Sequence, residues 1–197
     1  YVRGQLPNAP YCAGVVGSRD ASHYGLKAAN YFASSLAQEG IPIISGGAKG
    51  IDTAAHEAAL KAGGITVAVL GCGLDIVYPT SNKYLFERIA ERGAVISEYP
   101  PGTEPRAMNF PARNRIIVGL SRGIVVVEAA RKSGALITAH IAADEGREVY
   151  CVPGNIFEKS SIGCHELIRT GAKLVDNVQD ILEDKLQWQM AMQRTVE

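Results

Sequence analysis

Short apolar runs recur along the chain, and most are apolar throughout instead of at alternate residues. They read "YCAGVVG", "IPIIS", "ITVAVL", "AVIS", "GIVVVE", "EVYCVP" and a shorter "AKLV". A strand that is apolar on both faces must be covered on both faces, which is the condition of a parallel sheet. Between these runs lie helix-length stretches such as "YGLKAANYFASSLAQEG", "GIDTAAHEAALKAGG", "NKYLFERIAERG", "RNRIIVGLS", "GALITAHIAADEG" and "CHELIRTG". Many end in glycine, as helix stops do. The alternation predicts an α/β fold, a doubly wound, mostly parallel sheet with helices on both faces. Residues 1–185 read as one domain, and 186–197 as a helical tail or linker that leaves it and frays.

The 197 residues are 47% hydrophobic, enough for one substantial core. Basic and acidic side chains balance at 20 each, which argues against a wholly basic DNA-coating protein. Charge is nevertheless sorted. Arg106, Arg113, Arg115, Arg122, Arg131 and Lys132 face only Glu128 within their segment, whereas Asp176, Asp180, Glu183 and Asp184 crowd the tail. The cysteines at 12, 72, 151 and 164 form no CxxC pair, so neither a zinc site nor a disulfide framework is expected. No apolar run reaches the ~20 residues that span a bilayer, and no signal peptide opens the chain. A cytoplasmic protein without membrane contact is the expectation. Tyr1 stands where a methionine would open a complete chain, so the sequence reads as a piece of something longer.

In a doubly wound sheet, ligands bind outside the carboxyl ends of the strands, where strand order reverses. Glycines, hydroxyls and cations collect at the predicted strand ends. After the first run comes "GSR", Gly17, Ser18 and Arg19; after the second comes "SGGAKGID", with Ser45, Gly46, Gly47, Lys49 and Gly50. That loop either cradles an anion on backbone amides at a helix start or simply makes a tight turn. No Walker A or GxGxxG pattern closes it, so ATP and dinucleotides lack their signature, and no cofactor is expected. A proline-rich loop over 98–112 leads into "ARNR". Arg113 and Arg115 are two apart and diverge on a helix, so one can reach a ligand while the other pairs with a carboxylate. Asn114 reads equally as a helix cap.

Catalysis finds little support. Asp52 and Glu128 lie near strand ends, yet neither has an evident second acid beside it. The histidines at 23, 56, 140 and 165 lack metal-ligand spacing, no GxSxG elbow is present, and Ser45 and Ser133 have no identifiable base. No catalytic residue and no metal site is expected.

In this order, "GSR", "SGGAKGID", "NFPARNRIIVGLS", "VVEA…SGALITA", "GREVYCVPG" and "LIRTGA" resemble the DprA/Smf family of bacterial DNA-processing proteins, over about residues 11–182. The resemblance implies an extended Rossmann-like fold that binds single-stranded DNA without sequence preference. It further implies a role in natural transformation, loading of the recombinase RecA, and a homodimer. Carried over, Arg19 is the arginine of the GSR motif, with Gly17 and Ser18 beside it. Ser45, Gly46, Gly47, Lys49 and Gly50 are the glycine loop, and Arg113, Asn114 and Arg115 the RNR element. Arg106 and Phe110 sit on the loop where the family places phosphate and base-stacking contacts. Phe110 is then either a platform for a base or an anchor holding the loop to the core. One departure is His165, which stands in "GCHELI" where the family commonly has asparagine. The family's helical N-terminal and winged-helix C-terminal domains lie outside these 197 residues.

A rival reading is a nucleotide-processing enzyme, because the implied fold is related to that of phosphoribohydrolases acting on nucleoside monophosphates. Those enzymes carry PGGxGTxxE. Here the comparable stretch is "VVVEAARKSGALITA", with neither the PGG nor the helix-borne glutamate.

Overall fold

The computed structural model describes residues 1–196, with side chains through Gln187. In chain order the elements are β1 (Val2–Gly4), β2 (Ala13–Val16), α1 (His23–Gln38), β3 (Ile43–Ser45), α2 (Ile51–Lys61), β4 (Thr66–Leu70) and α3 (Lys83–Arg92). There follow β5 (Ala94–Ser97), α4 (Asn109–Leu120), β6 (Gly123–Val126), α5 (Gly134–Asp144), β7 (Glu148–Cys151), α6 (Ile162–Arg169), β8 (Lys173–Leu174) and α7 (Gln179–Val196). One sheet holds the strands in the order β1-β5-β4-β3-β2-β6-β7-β8. Every pairing is parallel except β1 against β5.

The chain builds outward from β2 to β3, β4 and β5, then returns to lay β6, β7 and β8 on the other side. Strand order therefore reverses between β2 and β6, where Gly14 pairs with Ile124. Alternation within each strand splits the core into two layers. Val15 and Val125 join Phe32 and Leu36 of α1, Ile51 of α2 and Ile181 of α7 on one face. Their neighbours Val16 and Val126 join Ile117 and Val118 of α4 and Ala139 of α5 on the other. Phe86 and Ile89 of α3 extend the first layer under β4 and β5. Fully burying one such side chain contributes about 1.5–3 kcal/mol, so double coverage is what makes the apolar runs strands.

Three elements differ from the sequence expectation. β1 adds an antiparallel edge that "YVRG" did not announce, since three exposed residues have no apolar signature. α4 starts at Asn109 and not at the RNR element, and Pro111 sits in its first turn, where a missing N–H costs nothing. α7 does not simply leave the domain: Ile181 is fully buried, and Lys173 bonds the Asp184 carboxylate at 3.0 Å. No helix among the described residues is long and apolar enough to cross a membrane.

Candidate nucleic-acid interface

A cleft of about 760 Å³ opens at the carboxyl ends of β2 and β6, at the point of strand reversal. The 17–20 turn after β2 and the entry to α5, with Ala130 and Lys132 to Ala135, both line it. Phe110, Arg113 and Asn114 of α4 line it as well, with Asp52. The position is the one that topology dictates for ligands in an open parallel sheet.

The turn bearing Arg19 is held from both sides. Ser18 donates its amide to the Glu128 carbonyl at 2.8 Å, and Ile51 donates to the Ser18 carbonyl at 3.1 Å. Gly50 adopts a φ of +77°, and a Cβ there would strike the carbonyls of Ser18 and Arg19. The GSR turn and the glycine loop are thus one packed unit, and glycine is required at 50 by a neighbouring backbone.

The glycine loop does not offer bare amides to an anion. Asp52 Oδ2 accepts from the Gly46 amide at 3.1 Å and the Ala48 amide at 3.3 Å. Ser45 is buried and donates to the Val15 carbonyl at 2.6 Å, while the Gly47 carbonyl accepts from Asn82 at 3.0 Å. In this structure the Gly46 amide and the Ser45 hydroxyl, both expected to meet a ligand, are engaged within the fold, by the Asp52 carboxylate and the Val15 carbonyl. Lys49, by contrast, is exposed beside Ala48, which lines the cleft.

Arg113 also turns inward. It is 4% exposed and donates to the carbonyls of Gly46 (2.7 Å) and Val69, and to Asn114 Oδ1 (3.0 Å). Burial pulls its guanidinium below the ordinary arginine range and pushes the Asp52 carboxyl up, while each opposes the other's shift by its charge. Arg113 and Asn114 both border the cleft, with Arg113 bonded to backbone carbonyls of the fold and Asn114 Oδ1 taken by Arg113. Arg115 points elsewhere, to an exposed ion pair with Glu98, and is not part of the cleft wall. Two residues apart on a helix, the arginines diverge as the spacing requires.

Phe110 is half-buried and lines the cleft. Its ring lies 5.4 Å from Tyr78 at 38°, 5.2 Å from the Arg19 guanidinium carbon and 5.9 Å from that of Arg113. The preceding residue, Asn109, donates to the Gly71 carbonyl at 2.9 Å and pins the start of α4. Asn109 thus anchors the start of α4, and the Phe110 ring beside it borders the open space.

Arg19, Lys49, Arg106 and Lys132 are exposed and have no ion-pair partner among the described residues. Of these, Arg19 and Lys132 line the cleft directly, as does the exposed Asp20. Lys132 was counted in the basic segment of the sequence but not among the site residues, and Tyr78 was in neither. Lys132 stands just before the glycine-containing entry to α5, which was the available signal; Tyr78 had none.

The other candidate acid, Glu128, is 3% exposed and accepts the Ser22 amide at 2.9 Å, which places its charge at the start of α1. His165 bonds the Gly154 carbonyl at 3.1 Å, a contact that an asparagine amide could also make. Among the described residues no cluster of His, Cys, Asp or Glu could hold a metal ion.

Sheet order and cleft position together define a Rossmann-like α/β protein with a switch-point cleft that has Arg19 and Lys132 in its lining. The chain belongs to the DNA recombination-mediator protein A family, whose model matches residues 1–185. It is 52% identical over 170 residues to the DNA processing protein DprA of Streptococcus pneumoniae, covering 86% of this chain and 60% of that protein. The crystal structure of the S. pneumoniae protein superposes with a TM-score of 0.85 at 51% identity, over 88% of this chain and 61% of that one. DNA processing protein A of Helicobacter pylori, whose structure concerns its single-stranded DNA binding mode, superposes with a TM-score of 0.86 at 32% identity. That match covers 95% of this chain and 86% of the other.

Proposed function

We propose that the protein binds single-stranded DNA, without sequence preference, in the β2/β6 cleft. The observation that carries this reading is that Arg19 and Lys132 line one cleft together with the aromatic pair Phe110 and Tyr78. A nucleic acid strand wants cations for its backbone and a π-face for its bases, and stacking is indifferent to base identity. Lys49 and Arg106, exposed next to the lining residues Ala48 and Ala107, extend the track for further phosphates. Gly17, Ser18 and Gly50 hold Arg19 in place.

The chain spans 60% of its S. pneumoniae relative, so the wider role is equally a proposal. It comprises the handling of incoming DNA in natural transformation and the loading of RecA by a homodimer. Ile156 and Phe157, 75% and 87% exposed before α6, suit a self-association face. Binding without turnover fits better than a nucleotide-hydrolysing enzyme, because the carboxylates of Asp52 and Glu128 are engaged by backbone amides.

Fluorescence anisotropy with labelled oligo-dT tests the reading. Affinity should fall by ~0.7 log units per log unit of salt for each phosphate neutralised. Arg19→Ala and Lys132→Ala should weaken all sequences alike. Duplex binding as tight as single-strand binding would refute the stacking component, and release of adenine from AMP would favour the enzyme.

A further inference from the structure

We infer that the amino ends of the strands carry a second ligand site, which takes a small organic anion: a carboxylate or phosphate head on a short apolar body. It lies at the opposite end of the sheet from the β2/β6 cleft and does not depend on what that cleft binds.

The chain leaves β1 beside the amino end of β5 and enters β2 beyond β4 and β3, so residues 5–12 pass along the amino ends of three strands. Pro7 and Pro10 stiffen this segment. Between it and the last turn of α4 is a cavity of about 270 Å³. Leu6, Ala9, Ile44, Val67 and Leu120 give it an apolar lining. Sites for drug-sized ligands occupy ~300–1,000 Å³, so this one suits a smaller molecule.

Two arginines complete the lining, and no carboxylate does. Arg122 and Arg147 each stand one residue before the paired Gly123 and Glu148, so adjacent parallel strands bring them to the same level. Each also follows a helix, α4 and α5 respectively, whose negative end favours a cation. That position accounts for a charge at 147 but not for the state of its side chain. Arg147 Nε is buried without a hydrogen-bond partner, and no ion pair among the described residues includes it. Were the helix end its partner, Nε would bond an α5 carbonyl, and it bonds none. A buried donor left unmade costs stability, and a charged one costs more. An anion in the cavity supplies the acceptor that the fold withholds. The apolar lining sets the rest of the ligand: inorganic phosphate leaves that surface to water, whereas a hydrocarbon chain covers it.

Hexanoate, hexyl phosphate and 1-hexanol are the probes, titrated into isotope-labelled protein and followed by amide NMR shifts. We expect saturable shifts centred on residues 6–12 and 120–122. The anion with the preferred head group should bind at least about tenfold more tightly than 1-hexanol. Arg147→Met keeps an apolar stem and removes the guanidinium. It should weaken the anion roughly 10- to 100-fold and leave 1-hexanol unchanged. Ala9→Leu, which fills the cavity from the 5–12 segment, should abolish binding of all three, and it serves if Arg147→Met melts early by circular dichroism. The inference is overturned by 1-hexanol binding as tight as both anions, by anion affinity unchanged in either variant, or by the absence of any saturable shift.

Discussion

Arg113 and Gly46, 67 residues apart in sequence, are joined by a 2.7 Å hydrogen bond from the guanidinium to the glycine carbonyl. The same guanidinium reaches Val69 and Asn114, so one side chain ties the ends of β3 and β4 to α4 beneath the cleft. Lysine, a single point charge, cannot serve three acceptors in that fork geometry. Arg113→Met should cost about 3 kcal/mol, since it also leaves the Asp52 charge buried without its counter-charge. Arg113→Lys should fall between that variant and wild type. Urea unfolding gives both values; wild-type stability in Arg113→Met would mean the network is incidental.

Gly46 has no room for a methyl group. A Cβ there would meet Arg113 Nη2 and lie 2.7 Å from Asp52 Oδ2. Neither charged group can retreat without losing its bonds, so Gly46→Ala should destabilise by about 1–3 kcal/mol. At roughly 2–4 °C per kcal/mol, that shift is visible by calorimetry.

Arg115 should prove dispensable for binding. Its partner Glu98 is exposed, and surface pairs of this kind contribute about 0–1 kcal/mol. Arg115→Ala is expected to leave oligo-dT affinity within about twofold by anisotropy, under conditions where Arg19→Ala reduces it. An equal loss in both would place a strand across the Glu98 side of α4.

These outcomes mark what the sequence could and could not disclose. Strands β2 to β8 and their covering helices were legible, because continuous apolar runs such as "GIVVVE" have one stable use. The cleft's place was legible from topology, and Arg19 from its position at a strand end. The direction of Ser45, Arg113 and Asn114 was not legible. A polar residue at a strand end serves a ligand or a neighbouring backbone equally well, and only the meeting of Asp52, Gly46 and Arg113 decides it. Exposed β1 lacked any pattern to read.

Acid should weaken the fold through His56. Its ring is fully buried, and burial lowers its pKa from 6.5 to about 3. Thr66 gives its own proton to the Ile43 carbonyl at 2.7 Å, so His56 Nδ1 donates to Thr66 Oγ1 at 2.6 Å. Nε2 is left as a buried acceptor without a partner. The unfolded chain takes up this proton below pH 6.5 and the folded one does not until about pH 3. The contribution is therefore complete above pH 6.5 and is lost as pH falls through the window down to about 3. Between pH 7.5 and 5 the wild type should lose about 2 kcal/mol through this group. His56→Gln should show a correspondingly flatter profile in urea titrations; an identical slope would assign the acid sensitivity to other groups.

All four cysteines are buried as free thiols. The native surface therefore presents no competing sulfhydryl to maleimide or methanethiosulfonate reagents. A single cysteine introduced at an exposed rim position would accept a fluorophore or spin label on the intact wild-type background, so distances across the strand path can be followed without first stripping the protein of its own sulfur.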